Sequence, residues 1–289
     1  MPRVRNDGLE IAYDVAGPPD APVVAFCEGL GYGRWMWRFQ RERLEGYRTI
    51  AFDNRGTGES DEPADSGAYS IAAFASDLEA VLSAEGVEAA HVVGASMGGM
   101  TAQAYAHEYD RARSLTLLCT SHGGEESVPI PEETQARMFQ VPEDATEREA
   151  VRHKMRPAMT DGFWTENQDL IGDIVDWRLE SDASDAARNM QAEAVLAFDS
   201  TPWLGDVDVP ALVLHGTDDR VLPVENGRQV HAHLPDSALE LYEGGAHLFF
   251  VEQADAVTAA LREHVQGVEA ANDSAAGTES TDSTDEFEA

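Results

Sequence analysis

Ser96 is the residue whose neighbours best equip it to act as a nucleophile. It lies in Gly94-Ala95-Ser96-Met97-Gly98-Gly99, after the apolar pair Val92-Val93 and before a segment of helical composition that carries Met100, Ala104 and Tyr105. That order predicts a strand, a sharp turn and a helix. A serine at such a turn takes a strained backbone and stands at the top of a sheet, so the residues two before and two after it must be small. Gly94 and Gly98 fill those positions. The Met97 N–H then falls at a helix N-terminus, where it donates to a developing oxyanion.

A serine hydroxyl is a poor nucleophile until a base takes its proton, and a histidine base works best when a carboxylate fixes its tautomer and stabilises the imidazolium. His247 ends Glu243-Gly244-Gly245-Ala246-His247, a glycine turn after an expected strand. Asp218 and Asp219 follow the strand before it, in His215-Gly216-Thr217-Asp218-Asp219-Arg220. The chain order is Ser, Asp, His. Ser121-His122-Gly123-Gly124 looks like an oxyanion motif but follows the nucleophile, so it is taken as a loop entering the next segment. His215, at the end of a buried strand, is read as a packed structural residue. No His or Cys spacing points to a metal, and this chemistry needs neither metal nor other cofactor.

The elements that must position these residues alternate. Asn6-Asp7-Gly8 between alternating segments marks a β-hairpin over 4–15. Apolar runs at 22–26, 48–52, 92–93, 115–118, 211–214 and 238–242 read as strands, and 71–84 as an amphipathic helix buried through Phe74, Leu78, Val81 and Leu82. Such alternation predicts a mostly parallel sheet covered on both faces, with its site at the carboxyl ends of the strands. From 125 to 200 strand-like runs vanish, and Met138, Met155, Met159, Ile171, Ile174 and Val175 recur among charges. This segment is expected to form a helical lid that interrupts a core made of 1–124 and 201–266. Residues 267–289, rich in Ser, Thr, Ala, Asp and Glu, are expected to form a disordered acidic tail.

The chain has 54 Asp and Glu against 20 Lys and Arg, a formal net charge of -34, and its single lysine is Lys154. That balance excludes a nucleic-acid partner and matches proteins of salt-loving organisms, where abundant cations screen self-repulsion. No apolar run reaches the roughly 20 residues that span a bilayer. The N-terminus lacks an apolar signal core, so no membrane partner and a cytoplasmic location, in a high-salt cytosol, are expected.

Four signatures fall in register: the glycine loop Cys27-Glu28-Gly29-Leu30-Gly31 after a strand, D-N-R-G-T-G-E-S-D from Asp53, G-A-S-M-G-G, and H-G-T-D-D-R-V-L-P with G-A-H-L. Over residues 6–264 the chain thereby resembles the α/β-hydrolase superfamily, most closely its enol-lactonase, esterase and non-haem haloperoxidase-like branch. The resemblance implies the α/β-hydrolase fold and selects Asp219 over Asp218 as the acid. It makes Leu30 N–H the second oxyanion donor beside Met97, and implies hydrolysis of a small carboxylic ester or lactone, enol-lactonase-like or carboxylesterase-like, through an acyl-enzyme. Perhydrolysis or acyl transfer would use the same residues. A non-catalytic ligand-binding protein is the reading of another class. Glu28 stands where relatives carry histidine, and an ionised carboxylate there would oppose an oxyanion. It must point away onto a loop N–H or an arginine, be protonated, or serve substrate choice. Trp35 and Trp164 join Glu28 as expected pocket residues, fit for a flat or cyclic acyl group.

Overall fold

The computed structural model of the protein describes residues 1–279. Eight strands, β1 (Arg3–Asn6), β2 (Leu9–Ala16), β3 (Val23–Cys27), β4 (Arg48–Phe52), β5 (Ala90–Ala95), β6 (Ala112–Leu118), β7 (Ala211–Gly216) and β8 (Ser237–Tyr242), form one sheet in the order β1-β2-β4-β3-β5-β6-β7-β8. β1 and β2 are antiparallel and from β4 to β8 every pairing is parallel. The β1–β2 turn is made by Asp7 and Gly8 at φ 50° and 84°, the left-handed pair that a two-residue hairpin requires.

Both faces of the sheet are apolar because alternate residues of each buried strand point opposite ways. Ala25 and Val92 pack with Phe74, Leu78 and Tyr105 under the helices α2 (Ile71–Ala84) and α3 (Met97–Glu108). Their chain neighbours Val24, Phe26 and Val93 pack with Trp37, Phe249, Phe250 and Leu261 on the other face. There the short helices α1 (Arg38–Arg41) and α10 (Phe249–Glu252) meet the long α11 (Ala254–Glu279). α2 starts where the Ser70 side chain accepts from Ala73 N–H at 3.0 Å, a capping bond that satisfies one of the orphan donors of the first turn.

Five helices lie between β6 and β7: α4 (Glu132–Phe139), α5 (Glu147–Met155), α6 (Asp161–Glu166), α7 (Gln168–Ser181) and α8 (Asp185–Leu196). They are anchored on the loops at the carboxyl ends of the strands. Gln191 accepts from Gly31 N–H at 2.8 Å and donates to the Arg55 carbonyl at 3.1 Å, and Ala183 N–H donates to Gly31 at 3.0 Å. α9 (Glu225–His233) completes the set.

The C-terminal segment departs from the sequence expectation. α11 does not stop where the tail is expected to begin, at 267, but runs to Glu279, so 267–279 is helical; 280–289 lie outside the described residues. Its buried seam ends with Val257, Leu261, Val265 and Val268. Beyond it the alanines at 270, 271, 275 and 276 carry the helix on intrinsic propensity. Among the described residues no helix is long and apolar enough to cross a membrane.

β5, α3 and the end of β3 approach one another closely beneath Ser96. A Cβ on Gly94 would collide with the Gly98 carbonyl, and one on Gly98 with the Cys27 carbonyl. Neither neighbour is a side-chain tip that can move aside. Gly94→Ala is therefore expected to lower stability by about 3 kcal/mol, roughly 6–12 °C in Tm. Gly46→Ala, at an open turn with φ 85°, is expected to lose only about 1 kcal/mol. Equal melting temperatures for the two variants would contradict the crowding.

Candidate active site

Ser96 holds φ 55° and ψ -119° between β5 and α3, a conformation few non-glycine residues adopt. Its own N–H donates to Leu118 at 2.9 Å, and Thr120 Oγ1 donates to its carbonyl at 2.7 Å. The hydroxyl side of the turn opens into a cavity of about 360 Å³ between the sheet and the helical insertion, which Ser96, Leu30, Met97 and His247 all line. Neither Leu30 N–H nor Met97 N–H donates to a protein acceptor among the described residues. Two free donors thus border the same cavity as the serine.

His247 sits on the loop between β8 and α10, and its Nδ1 lies 2.7 Å from Asp219 Oδ2. Asp219, on the loop after β7, is buried; its Oδ1 accepts from the N–H groups of Val221 and Leu222 at 2.7 and 2.9 Å. Burial alone would raise its pKa, but the charge of His247 and the hydrogen bonds from His215 and His247 outweigh this and hold it at about 2. Asp218 is exposed.

His215 is a partner that sequence reasoning treated as packing alone. Fully buried at the end of β7, it places Nε2 2.8 Å from the Leu222 carbonyl and 3.3 Å from Asp219 Oδ2. It stands four residues before Asp219, a spacing that gave a usable signal. His122 lies elsewhere, with Nε2 and Nδ1 each 3.2 Å from Gln229 and Thr201. Cys119 lines the cavity too. Burial, reinforced by the charge of Asp219, pushes its thiol well above the usual range and keeps it protonated.

The three residues expected in the pocket wall are not in it. Trp35 leans on Tyr32 and Trp177 and donates from Nε1 to Asp182 at 3.0 Å. Trp164 lies under the guanidinium groups of Arg152 and Arg156. Both aromatic rings are spent on packing the insertion. Glu28 is 0% exposed, and neither carboxyl oxygen has a hydrogen-bond partner. It does not rest on a loop N–H or an arginine. Burial, then the charge of nearby Asp53, raise its pKa well above the ordinary carboxylate range against the weaker pull of its own backbone N–H and of Arg34, so the protonated form is favoured. Of the six apolar residues singled out in the insertion, Met138 and Met155 reach the cavity, while Met159, Ile171, Ile174 and Val175 are buried in the core.

The loop that carries Leu30 is fixed from below. Asp53 accepts from Arg34 N–H at 3.0 Å and from its guanidinium, and from Glu59 N–H at 3.0 Å. Arg55 is buried and paired bidentately with Asp77 of α2 at 2.7 and 2.8 Å. These bonds are what D-N-R-G-T-G-E-S-D encodes.

Such a fold, with a strained serine and a buried Asp–His pair at the strand ends, defines a hydrolase. The family model for the alpha/beta hydrolase fold matches residues 22–254, and the chain belongs to that family. RutD of Variovorax paradoxus, named as a carbamate hydrolase, is 28% identical over 265 residues, covering 91% of this chain and 98% of its own. RutD of Escherichia coli is 30% identical over 261 residues, covering 84% of this chain and 90% of its own. Among solved structures, the enol-lactonase of Burkholderia xenovorans superposes with TM-score 0.79 at 25% identity, covering 92% of this chain and 100% of that one. A thermophilic esterase of Thermogutta terrifontis does so with TM-score 0.73 at 28% identity, covering 92% and 98%.

Glu28 also yields a test with a definite sign. A carboxyl whose pKa is raised on folding keeps a proton that the unfolded chain, at about 4.3, releases, so it lowers stability increasingly as pH rises above that value. Glu28→Gln removes this penalty while keeping the shape. Its Tm relative to the parent is expected to rise from pH 5 to pH 8. A difference independent of pH, or a fall, would show that Glu28 is ionised in the folded protein.

Proposed function

We propose that the protein is a serine hydrolase of small carboxylic esters or lactones that works through an acyl-enzyme. The observation that carries this reading is the 2.7 Å contact of His247 with buried Asp219, in a cavity shared by Ser96 and two unpaired N–H donors. Ser96 Oγ attacks the carbonyl carbon as His247 Nε2 takes its proton. The Asp219 carboxylate holds the opposite nitrogen as the donor and stabilises the imidazolium. Leu30 and Met97 N–H receive the oxyanion. Collapse expels the alkoxide, which takes the proton from His247 and leaves an acyl ester on Ser96. Water, deprotonated by His247, then attacks that ester; collapse releases the acid and returns the proton to Ser96 Oγ. No cofactor enters these steps.

Neighbours titled as an enol-lactonase and an esterase support the substrate class. The RutD relatives are named for carbamates, whose carbonyl carbon is open to the same attack and belongs in the same screen. The feature that favours the non-catalytic reading is Glu28, which lies outside the cavity and whose carboxyl pKa burial raises. An acidic surface of this density supports work in concentrated salt, within a high-salt cytosol.

Ser96→Ala, folded by its melting temperature, is expected to lower kcat/KM for hydrolysis of an ester or lactone substrate at least about 10³-fold. Activity undiminished by this substitution would overturn the assignment.

A further inference from the structure

The wall of the cavity opposite the sheet is cationic, in a chain whose net charge is -34. Lys154 of α5, Arg178 of α7 and Arg188 of α8 line it, with Asp185 as the one carboxylate among the lining residues. Three of the chain's 20 cations are therefore gathered at one site.

Their partners are unequal. Arg178 is fully engaged: Nε donates to Asp182 Oδ2 at 2.7 Å, Nη1 donates to the Tyr32 hydroxyl at 3.2 Å, and the guanidinium lies 4.3 Å from the Tyr32 ring centre. Asp182 is engaged as well, since its Oδ1 accepts from Trp35 Nε1 at 3.0 Å and from Gly33 N–H at 3.3 Å. Arg188 is left over. Its Nη2 stands 3.7 Å from Asp182 Oδ2, beyond hydrogen-bond reach, and makes one long bond, 3.5 Å, to the Ala183 carbonyl. Its Nε is buried and has no partner among the described residues. Among the described residues Lys154 meets only Asp185, at 3.4 Å, and that carboxylate is 86% exposed, so water and salt screen the pair.

A guanidinium presents five donors in a planar fork that matches a carboxylate, and buried donors are almost always satisfied. Desolvation and the adjacent Arg178 push the pKa of Arg188 down, the direction an incoming anion reverses. The Arg188 guanidinium also packs on Gly31: its Cζ lies 3.1 Å from where a Cβ of that residue would stand. Gly31 is the neighbour of Leu30, so the unsatisfied fork lies beside the donor that receives the oxyanion.

We propose that the substrate carries a second, ionised carboxylate a few bonds from the scissile carbonyl, and that Arg188, flanked by Lys154, receives it. This names the substrate class of the reading above and rests on it. The insertion then serves as an anion-selective wall as well as a cover.

The test uses monomethyl glutarate and dimethyl glutarate, which share a skeleton and differ in charge, with acid release followed by pH-stat. The parent protein is expected to favour the half ester through a lower KM. Arg188→Gln is expected to reduce the ratio of kcat/KM, half ester over diester, at least tenfold through KM, and Arg188→Lys to restore part of it. Equal loss on both esters, the mark of an arginine that only props the Gly31 loop, would overturn the proposal, as would a parent preference for the diester. If Arg188→Gln does not fold, Lys154→Gln is expected to lower the same ratio, and an unchanged ratio counts against the proposal. Calorimetric titration of Ser96→Ala with glutarate separates the two readings. Binding of glutarate without turnover of either ester by the parent sustains the anion site and removes the hydrolase. Turnover of the diester without glutarate binding sustains the hydrolase and removes the anion site.

Discussion

The site depends on one backbone conformation, that of Ser96. Holding a serine at φ 55° costs on the order of 1–3 kcal/mol and persists only where its surroundings over-determine it. Here they do so from three sides: the Leu118 carbonyl accepts from the Ser96 N–H, the Thr120 hydroxyl donates to its carbonyl, and Gly94 and Gly98 let strand and helix close to a distance that no Cβ would permit. The strain lifts the hydroxyl off the sheet and leaves the Met97 N–H, first in its helix, without an internal partner. The proposed nucleophile and the proposed oxyanion donor are thus products of the same turn.

Around that turn charge is arranged by burial. Asp219 is kept ionised by two backbone N–H donors and two histidines, which outweigh its desolvation. Glu28 has no such partners and lies near Asp53, so burial drives it neutral. The two carboxyls, both fully or nearly excluded from water, show that partners decide the charge state of a buried acid. The surface carries the chain's large negative charge, while three cations of the helical insertion, Lys154, Arg178 and Arg188, line the cavity.

Much of this was legible in the sequence. Asn6-Asp7-Gly8 placed the hairpin, because only a short list of residues adopts two successive left-handed conformations. Strand 48–52 and helix 71–84 coincide with β4 and α2, since apolar period and the Ser70 cap agree there. The order of Ser96, Asp219 and His247 at successive strand ends put all three on one edge of the sheet before any contact was known. What was not legible is what depends on long-range contact. Trp35 and Trp164 are apolar and near the site in sequence terms, yet which side of a packed insertion they face is set by Asp182, Trp177, Arg152 and Arg156. Glu28 is a charged residue buried without a partner, a choice that local pattern argues against. Arg178 and Arg188 carry no local signal in the sequence, since only the fold brings Tyr32 and Gly31 against them. The end of α11 lies past its buried seam at Val268, where apolar pattern gives no signal.

The central claim is that Ser96 is an activated nucleophile. The direct measurement is the intact mass of the protein after exposure to a fluorophosphonate in multimolar KCl, with Ser96→Ala treated alongside. The account predicts one phosphonyl adduct on the parent and none on the variant. A folded parent that gains no adduct, or a variant that gains the same one, would contradict it.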